Sequence, residues 1–532
     1  MPTTILARLG VAALGGSLLA AGLVVGGPAP ASHAHDDADP TPAAIAADWL
    51  SGEDAALGGF GGFGWGASID VALALKAAGG YADRVDDITT ALGDHVLDYI
   101  TGGAFDPDST YAGPAAKAAY FAGQVGDDPT AFGGQDLVGR VEGTVQESGR
   151  VQDVSGFGDY ANVFGQTFAA RALTDADSAQ AGAVTGFLLD QQCSAGFFRL
   201  DFTRVSDGDV NTSDPATDDG CDDATSAPSV DATALAIVVL KPLAATDPAI
   251  ADALTAASDW LVTDQRANGS FDDGDLIGPN ANSTGLAGNA LITSGRHEAA
   301  EKAAGWLRSL QLSGTRCDGA AKADIGGVAY DGASLREALA GGIADRAKFA
   351  RATSQAIPAL LAAPESATTL TFKAPAFLDG GGKARIKVSG LAPGEAACVG
   401  VGRFIQRVLP DAAGKAVAKV KVPDRTGDVP VVVDTSDNSA GIEDLALAAA
   451  KLPVGLRDSV APRGDQRVVV RGLASGEHVV VRQDGDVVAR GTATTRGRFT
   501  ATFPAPRAHG KHVVKARGQF RDRAGQASYQ VR

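Results

Sequence analysis

The chain has 532 residues, of which 46 are Lys or Arg, 63 are Asp or Glu and four are Cys. This length exceeds what one hydrophobic core usually serves, so several domains are expected. The net charge of −17 and the lack of a basic platform with aromatic residues exclude a nucleic-acid partner. The charge is divided unevenly: from Ala363 onward 26 basic residues stand against 16 acidic ones, about +10, which leaves about −27 for the rest.

The N-terminus has the pattern of a secretory signal. Arg8 is the only charge before an apolar run from Val11 to Val25, and small residues follow up to Ala34. This pattern predicts a signal peptide over residues 1–34 and a secreted, extracellular protein. The run is too short for a transmembrane helix and no later run is long enough, so we expect no membrane span. The basic C-terminal part either contacts an anionic cell envelope or forms an ordinary solvated surface.

Residues 41–362 carry Ala and Leu at helical spacing. A helix that ends in Leu leads into Gln and a Gly-containing turn at residues 187–197, 260–271 and 306–314. Small, apolar second helices begin near Asp70, Pro114, Asn162, Asp231, Ser283 and Thr353. Because such uncharged helices need burial on all sides, about six of them inside amphipathic partners predict an all-α (α/α)6 toroid.

Residues 366–532 change to an alternation of apolar and polar residues, which is typical of strands. The segment 388–395 recurs at 470–477, which predicts two tandem modules over residues 366–450 and 453–532. Short strands joined by tight turns favour immunoglobulin-like β-sandwiches. The expected fold is therefore multidomain, with an α/α toroid followed by two all-β sandwich modules.

The turns at Gln192–Gly196 and Gln265–Gly269 resemble the repeat of squalene and hopene cyclases. The resemblance covers about residues 41–362 and extends to the α/α-toroid superfamily of terpene cyclases, protein prenyltransferases and cobalamin-binding proteins. In this repeat the Gln side chain bridges neighbouring helix ends, so the resemblance implies the scaffold more than an activity.

Two enzymatic branches of the superfamily lack residues here. The cyclases need an Asp-x-Asp-Asp cluster, and the nearest match is the loop segment 272–275. If the protein is an enzyme, we expect a terpenoid-cyclase-like reaction on an isoprenoid, with Asp231 and Asp273 as catalytic residues. The prenyltransferases hold zinc through Asp, Cys and His; residues 219–221 resemble the first two ligands, but no His stands where the third is expected.

The transcobalamin and intrinsic-factor branch fits local segments better. Residues 229–236, 280–287 and 353–360 resemble the starts of its inner helices. The resemblance implies that Asp231, Asn280 and Gln355 lie at the ring mouth and hydrogen-bond a corrinoid. We add Asp70, Gln166 and Asn282 to this ligand-binding set. The alternative role for Asp231 and Ser283 is to cap their own helices.

Four cysteines in an exported chain indicate disulfides. We predict a Cys193–Cys221 bond, which stabilises the fold by about 3 kcal/mol. Cys317 and Cys398 either join the ring to a sandwich or remain buried thiols. Asp207, Asp209 and Asn211 open an acidic loop that suggests calcium, but Thr212 and Asp218 occupy positions that an EF-hand reserves for Gly and Glu. We therefore expect no metal and no certain cofactor.

The sequence favours a non-catalytic binding protein whose ring mouth holds a bulky, partly apolar ligand such as a corrinoid. The sandwich modules serve as spacers or envelope-docking units in this interpretation. Two alternatives remain: an isoprenoid-processing enzyme, and a surface protein whose ring binds another protein.

Overall fold

A computed structural model describes residues 41–58, 64–202, 220–274, 278–365, 370–375, 377–423, 427–436, 439–448, 451–519 and 523–532. The chain divides into two compact units. The first contains Met1–Gln311, Asp324–Glu337 and Ile343–Ala363, and the second contains Leu312–Ala323, Ala338–Gly342 and Pro364–Arg532. Two short segments of the range predicted for the toroid therefore belong to the second unit. The predicted signal peptide lies outside the described residues.

The helices of the described residues precede all of the strands. They are α1 (Pro42–Ser51), α2 (Trp65–Ala78), α3 (Ala82–Asp94), α4 (Val96–Ile100), α5 (Ala112–Val125), α6 (Leu137–Glu142), α7 (Val163–Asp175), α8 (Ala181–Asp190), α9 (Val230–Leu240), α10 (Pro248–Asp264), α11 (Ala281–Thr293), α12 (His297–Ser309), α13 (Gly332–Gly341) and α14 (Arg346–Leu360).

Six of these helices form a closed inner ring. Helices α2, α5, α7, α9, α11 and α14 contact one another in that order, and α14 contacts α2. The ring is lined by a second set of helices, which are not part of the inner ring but each contact at least one of its helices. This outer set consists of α1, α3, α6, α8, α10 and α12. The predicted α/α toroid is confirmed.

Inner and outer helices differ in how their residues are buried. All eleven residues of α9 are buried, and the only one among them with an ionisable side chain is Asp231. The outer helix α12 buries one stripe of small residues and exposes Glu298, Glu301 and Lys302. Because a helix that is apolar on every side must be surrounded, the composition of α9 places it inside the ring.

The repeated Gln and Gly residues connect successive outer helices. The side-chain amides of Gln192, Gln265 and Gln311 each donate to a backbone carbonyl of the next outer helix at 2.8 Å, those of Ala253, Ala299 and Pro42. A Cβ at Gly196, Gly269 or Gly326 would clash with the backbone of the same helix. The contact to Pro42 joins the last turn to α1, so the same device closes the ring.

The strands form two sandwiches with the same strand order. In the first module they are β1 (Thr371–Lys373), β2 (Phe377–Asp379), β3 (Lys383–Ser389), β4 (Ala397–Val401), β5 (Phe404–Val408), β6 (Lys415–Lys421), β7 (Gly427–Asp434) and β8 (Ser439–Ala448). In the second they are β9 (Val454–Gly455), β10 (Ser459–Val460), β11 (Asp465–Val470), β12 (His478–Gln483), β13 (Asp486–Thr492), β14 (Phe499–Pro504), β15 (Gly510–Gly518) and β16 (Ala524–Val531).

Each module pairs a three-stranded sheet with a five-stranded one. The orders β1-β3-β6 and β2-β8-β7-β4-β5 in the first module correspond to β9-β11-β14 and β10-β16-β15-β12-β13 in the second. The repeated sequence motif explains part of this identity. Glu395 and Glu477 accept hydrogen bonds from the backbone N–H groups of Ala392 and Ala474, at 2.8 and 2.7 Å. The two predicted sandwich modules are confirmed.

Both cysteine pairs form disulfides. The predicted Cys193–Cys221 bond is confirmed, with a Cα–Cα distance of 5.1 Å. Cys317 and Cys398 form the second bond, and both belong to the second unit. Among the described residues, no helix has the length and apolar composition that crossing a membrane requires.

Candidate functional site

The starts of four consecutive inner helices are linked through their first N–H groups. The first three groups donate to the loop that precedes the next inner helix: Ala112 to Asp153 Oδ1 at 2.7 Å, Val163 to the Leu200 carbonyl at 3.0 Å, and Val230 to Asp273 Oδ1 at 2.7 Å. The fourth, Ala281, donates at 2.7 Å to the carbonyl of Tyr330, in the segment between α12 and α13. The first N–H groups of a helix have no acceptor within that helix, and here the neighbouring repeat supplies the acceptor. The four helix starts therefore lie at one end of the ring, which we call the N-terminal end.

Asp231 is the second residue of α9 at this end. Its side chain is buried, and its Oδ1 atom has no hydrogen-bond partner. The Ser283 hydroxyl donates to the Asp231 carboxyl, and the Asn280 amide donates to Ser283 Oγ at 3.2 Å. A short hydrogen-bonded chain thus runs from the start of α11 to a carboxyl on α9.

Burial, and to a smaller extent the nearby Asp273 carboxylate, together raise the pKa of Asp231 to about 8. The hydrogen bond from Ser283 acts against this rise. Desolvation disfavours the charged form of a carboxyl group, and a second negative charge does the same. Asp231 is therefore mainly protonated at neutral pH and can donate a hydrogen bond.

Asn282 occupies the matching position on the neighbouring helix, as the second residue of α11. Its side chain is buried and its Oδ1 atom also has no hydrogen-bond partner. Asn280 caps α11, because its Oδ1 atom accepts from the Ser283 N–H at 2.9 Å. We call Asp231, Asp273, Asn280, Asn282 and Ser283 the α9–α11 cluster.

Asp273 has a structural function within this cluster. Its carboxylate accepts hydrogen bonds from the Val230 N–H at 2.7 Å and from the Ser229 hydroxyl at 3.2 Å. Asp153 accepts from the start of α5 in the same way, and burial raises its pKa to about 6. Burial also raises the pKa of Asp273. The geometry thus supports helix capping as the role of Asp273.

Asp70 is a second buried carboxylate on an inner helix. It forms an ion pair with Lys117 of α5 at 2.6 Å, and the two side chains are 4% and 1% exposed. Lys117 also donates to the Gly66 carbonyl at 2.9 Å. Asp70 is therefore neutralised by a cation between α2 and α5, away from the α9–α11 cluster in the ring order.

Two other residues of the predicted ligand set have different surroundings. Gln166 accepts from the Val151 N–H at 2.9 Å and donates to the carbonyls of Gly149 and Val184, at 2.8 and 2.9 Å. It connects adjacent repeats as Gln192 does, and its predicted ligand-binding role stays a prediction. Gln355 is buried on α14, the inner helix that follows α11 around the ring.

The structure describes one group of residues with metal-like spacing, Cys193, Cys221 and Asp223. The two cysteines are joined in a disulfide, so they are not available as thiolate ligands. The calcium candidates Asp207, Asp209 and Asn211 lie outside the described residues.

An exposed aromatic patch beside the N-terminal end has no counterpart in the sequence predictions. Phe105, Phe157 and Tyr160 are 91%, 59% and 56% exposed on the two loops that lead into α5 and α7. Asp106 joins the loops by accepting from the Ser155 hydroxyl at 3.0 Å and the Gly156 N–H at 3.1 Å. Large exposed aromatic side chains grouped in this way are typical of a contact surface.

No family model matches the chain. No curated protein matches it either. Among solved structures, the adhesin InvE of Yersinia pseudotuberculosis is similar over 30% of this chain and 58% of its own, at 12% identity and a TM-score of 0.19. Invasin, a bacterial integrin-binding protein, is similar over 31% of this chain and 40% of its own, at 11% identity and a TM-score of 0.14.

The ent-copalyl diphosphate synthase of Streptomyces platensis is similar over 59% of this chain and 50% of its own, at 15% identity and a TM-score of 0.33. This chain thus spans less than two thirds of each of the three proteins. At such identities and TM-scores no activity or partner is transferred from them. The fold assignment rests on the helix and strand contacts described above.

Proposed function

We propose that the helical ring is a non-catalytic receptor, outside the cell, for a bulky and uncharged ligand that carries amide or carbonyl groups. The observation that supports this function is the pair of buried oxygen atoms without partners, Asp231 Oδ1 and Asn282 Oδ1. They stand at the same position of adjacent inner helices, α9 and α11.

The two atoms offer complementary hydrogen bonds. A protonated Asp231 donates to a ligand carbonyl, and Asn282 Oδ1 accepts from a ligand N–H or O–H. Leaving a buried polar group without a partner costs about 1–3 kcal/mol, and a ligand that supplies the partner recovers part of this cost. An amide supplies both a donor and an acceptor, so a ligand rimmed with amides, as a corrinoid is, fits the pair.

The exposed aromatic patch indicates that part of the ligand is apolar. Phe105, Phe157 and Tyr160 present ring surface on loops that precede α5 and α7, at the ring's N-terminal end. Binding sites for small molecules commonly combine such apolar surface with a few placed polar groups. The two disulfides agree with a location in an oxidising compartment, as a secreted or cell-surface protein requires.

Gel filtration with hydroxocobalamin tests this function. The mature protein should retain the red chromophore at micromolar concentrations, and Asp231→Ala and Asn282→Ala should each weaken retention about tenfold or more, equivalent to about 1.4 kcal/mol. Asp252→Ala, at an exposed position of the outer helix α10, serves as the matched control and should retain the ligand fully. A colourless wild-type protein peak would contradict the proposal for corrinoids.

A second candidate is an enzyme that uses Asp231 as a general acid, because this carboxyl is protonated at neutral pH. A pKa of about 8 makes it a weaker proton donor than an ordinary carboxyl group, whereas protonation of an isolated carbon–carbon double bond needs a stronger one. Mass spectrometry after incubation with squalene or geranylgeranyl diphosphate distinguishes the two. A product that disappears in Asp231→Asn would favour the enzyme over the receptor.

A further inference from the structure

The outer face of the sheet β1-β3-β6 in the first sandwich carries basic side chains, and its strands contain no acidic residues. Strands β3 and β6 alternate strictly between buried and exposed positions, so one residue in two points outward. The outward basic residues are Lys373, Lys383, Arg385, Lys387, Lys415, Lys419 and Lys421. We call these seven side chains the basic face; the three strands contain no Asp or Glu.

The strand register places like charges opposite each other. Lys383 stands opposite Lys421, Arg385 opposite Lys419, and Lys373 opposite Lys387. Like charges at directly opposed positions destabilise a sheet. The sandwich therefore keeps an arrangement that does not help its own stability.

The second module shows that the fold does not need these charges. Its equivalent strands, β11 and β14, place Asp465 opposite Pro504, Arg467 opposite Thr502 and Val469 opposite Thr500. The same sheet thus forms with a single cation among these six positions. The charges of the first module are consequently a property of that surface and not of the architecture.

The side chains on the face indicate the kind of anion that would bind. Six of the seven cations are Lys, whose compact ammonium group binds as a point charge without the fixed geometry of Arg. Alternate residues along a strand are about 6.6 Å apart, so β3 presents a row of three regularly spaced charges and β6 presents a row at the same spacing that is interrupted once, at Val417. Regular rows of this type match a linear polymer with evenly spaced charges.

Two other classes of anionic partner fit less well. The face has no exposed aromatic side chain on which nucleic-acid bases can stack. Its exposed large apolar residue is Val417, at 41% exposure, and one Val gives little area for insertion into a bilayer.

From these observations we infer that the basic face binds a linear phosphodiester polymer of the cell envelope. The ring would then be held at the cell surface by the sandwich that follows it in the chain. This inference is independent of the ligand of the ring.

Binding of the full mature chain to poly(glycerol phosphate), measured by titration calorimetry at low and moderate salt, tests the inference. Lys383→Gln/Lys419→Gln/Lys421→Gln should weaken binding about tenfold or more and reduce the slope of log Kd against log salt by about 2, because three phosphate contacts are lost. The melting temperature of the sandwich should stay the same or rise, because opposed like charges are removed.

The matched control is Lys511→Gln/Lys515→Gln/Arg517→Gln, which removes three exposed cations from β15 of the second module. It should leave the affinity within about twofold, since the basic face is intact. An equal loss in both variants would overturn the inference, because binding would then follow net charge. Tighter binding to anionic vesicles or to single-stranded DNA than to the polymer would also overturn it.

Discussion

Two buried carboxyl groups on inner helices of the same ring have opposite electrostatic surroundings. Asp70 of α2 has a buried cation, Lys117, at 2.6 Å. Asp231 of α9 has only the Ser283 hydroxyl as a described side-chain donor, and burial raises its pKa to about 8. The first group is therefore charged and paired, and the second is neutral with one oxygen unsatisfied.

The difference separates a structural role for Asp70 from the proposed binding role of Asp231. A buried ion pair satisfies its own charges and leaves little for a ligand. A protonated carboxyl with an unpartnered oxygen still has one hydrogen bond to make, as the proposed receptor function requires. Asp70 thus belongs to the interface of α2 and α5, whereas Asp231 is the stronger ligand-binding candidate.

The largest expected effect is a loss of stability when the ion pair between Asp70 and Lys117 is broken. Lys117→Met should lower the free energy of unfolding of the ring by about 3–5 kcal/mol, because it removes the buried cation that balances the Asp70 charge. Urea denaturation followed by helix circular dichroism measures this. The double variant Asp70→Asn/Lys117→Met should regain part of the loss, and a single-variant loss below about 1 kcal/mol would contradict the contrast with Asp231.

The next effect is the pH dependence that Asp231 gives to stability. Its pKa is raised in the folded state, to about 8, above the unfolded value of about 4, so the folded chain holds one more proton between these limits. Stability should fall as the pH rises through this range, by an amount on the order of a few kcal/mol.

Asp231→Asn removes this titration. The variant should be more stable than the wild type at about pH 9 and should show a flatter profile, most clearly from about pH 6 to 8, above the range in which Asp153 titrates. Chemical denaturation across this pH range measures both profiles. Superimposable profiles would show that Asp231 is ionised in the folded chain.

A smaller effect is expected at Asp273. Asp273→Asn weakens the acceptor for the Val230 N–H and should cost about 1 kcal/mol, as other losses at helix caps do. It should also lower the pKa of Asp231, because the charge of Asp273 raises that pKa. Carboxyl titration by carbon NMR checks the pKa, and a value that does not change would remove Asp273 from the electrostatics of the site.

The smallest effect is expected at Ser283. Ser283→Ala removes a hydrogen bond that lowers the pKa of Asp231, so this pKa should rise, with a stability change of about 1 kcal/mol or less. The same NMR titration measures the shift. A fall in the pKa would mean that Ser283 does not donate to the charged carboxylate.

The sequence predicted the scaffold well because the scaffold depends on local patterns. The all-apolar composition of α9 requires burial, and the Gln-Gly turns at 192–196 and 265–269 connect repeats as the resemblance implied. The tandem motif likewise predicted two sandwiches.

The site was less predictable, because its properties depend on neighbours distant in the chain. Nothing in the sequence indicates that Lys117 forms an ion pair with Asp70, or that the Gln166 amide donates hydrogen bonds to the carbonyls of Gly149 and Val184. The pKa of Asp231 depends on burial by other helices and on the charge of Asp273, which lies 42 residues later in the sequence. The ligand-binding roles of Asp70, Gln166, Asp231, Asn280, Asn282 and Gln355 stay predictions.

The central claim is that Asp231 is a protonated hydrogen-bond donor at the N-terminal end of the ring. An infrared difference spectrum of wild type minus Asp231→Asn measures this directly. We expect the carbonyl band of a protonated carboxylic acid at about pH 6, its conversion to the carboxylate bands above about pH 8, and a shift of the acid band when hydroxocobalamin is added. Carboxylate bands at about pH 6 would contradict the claim.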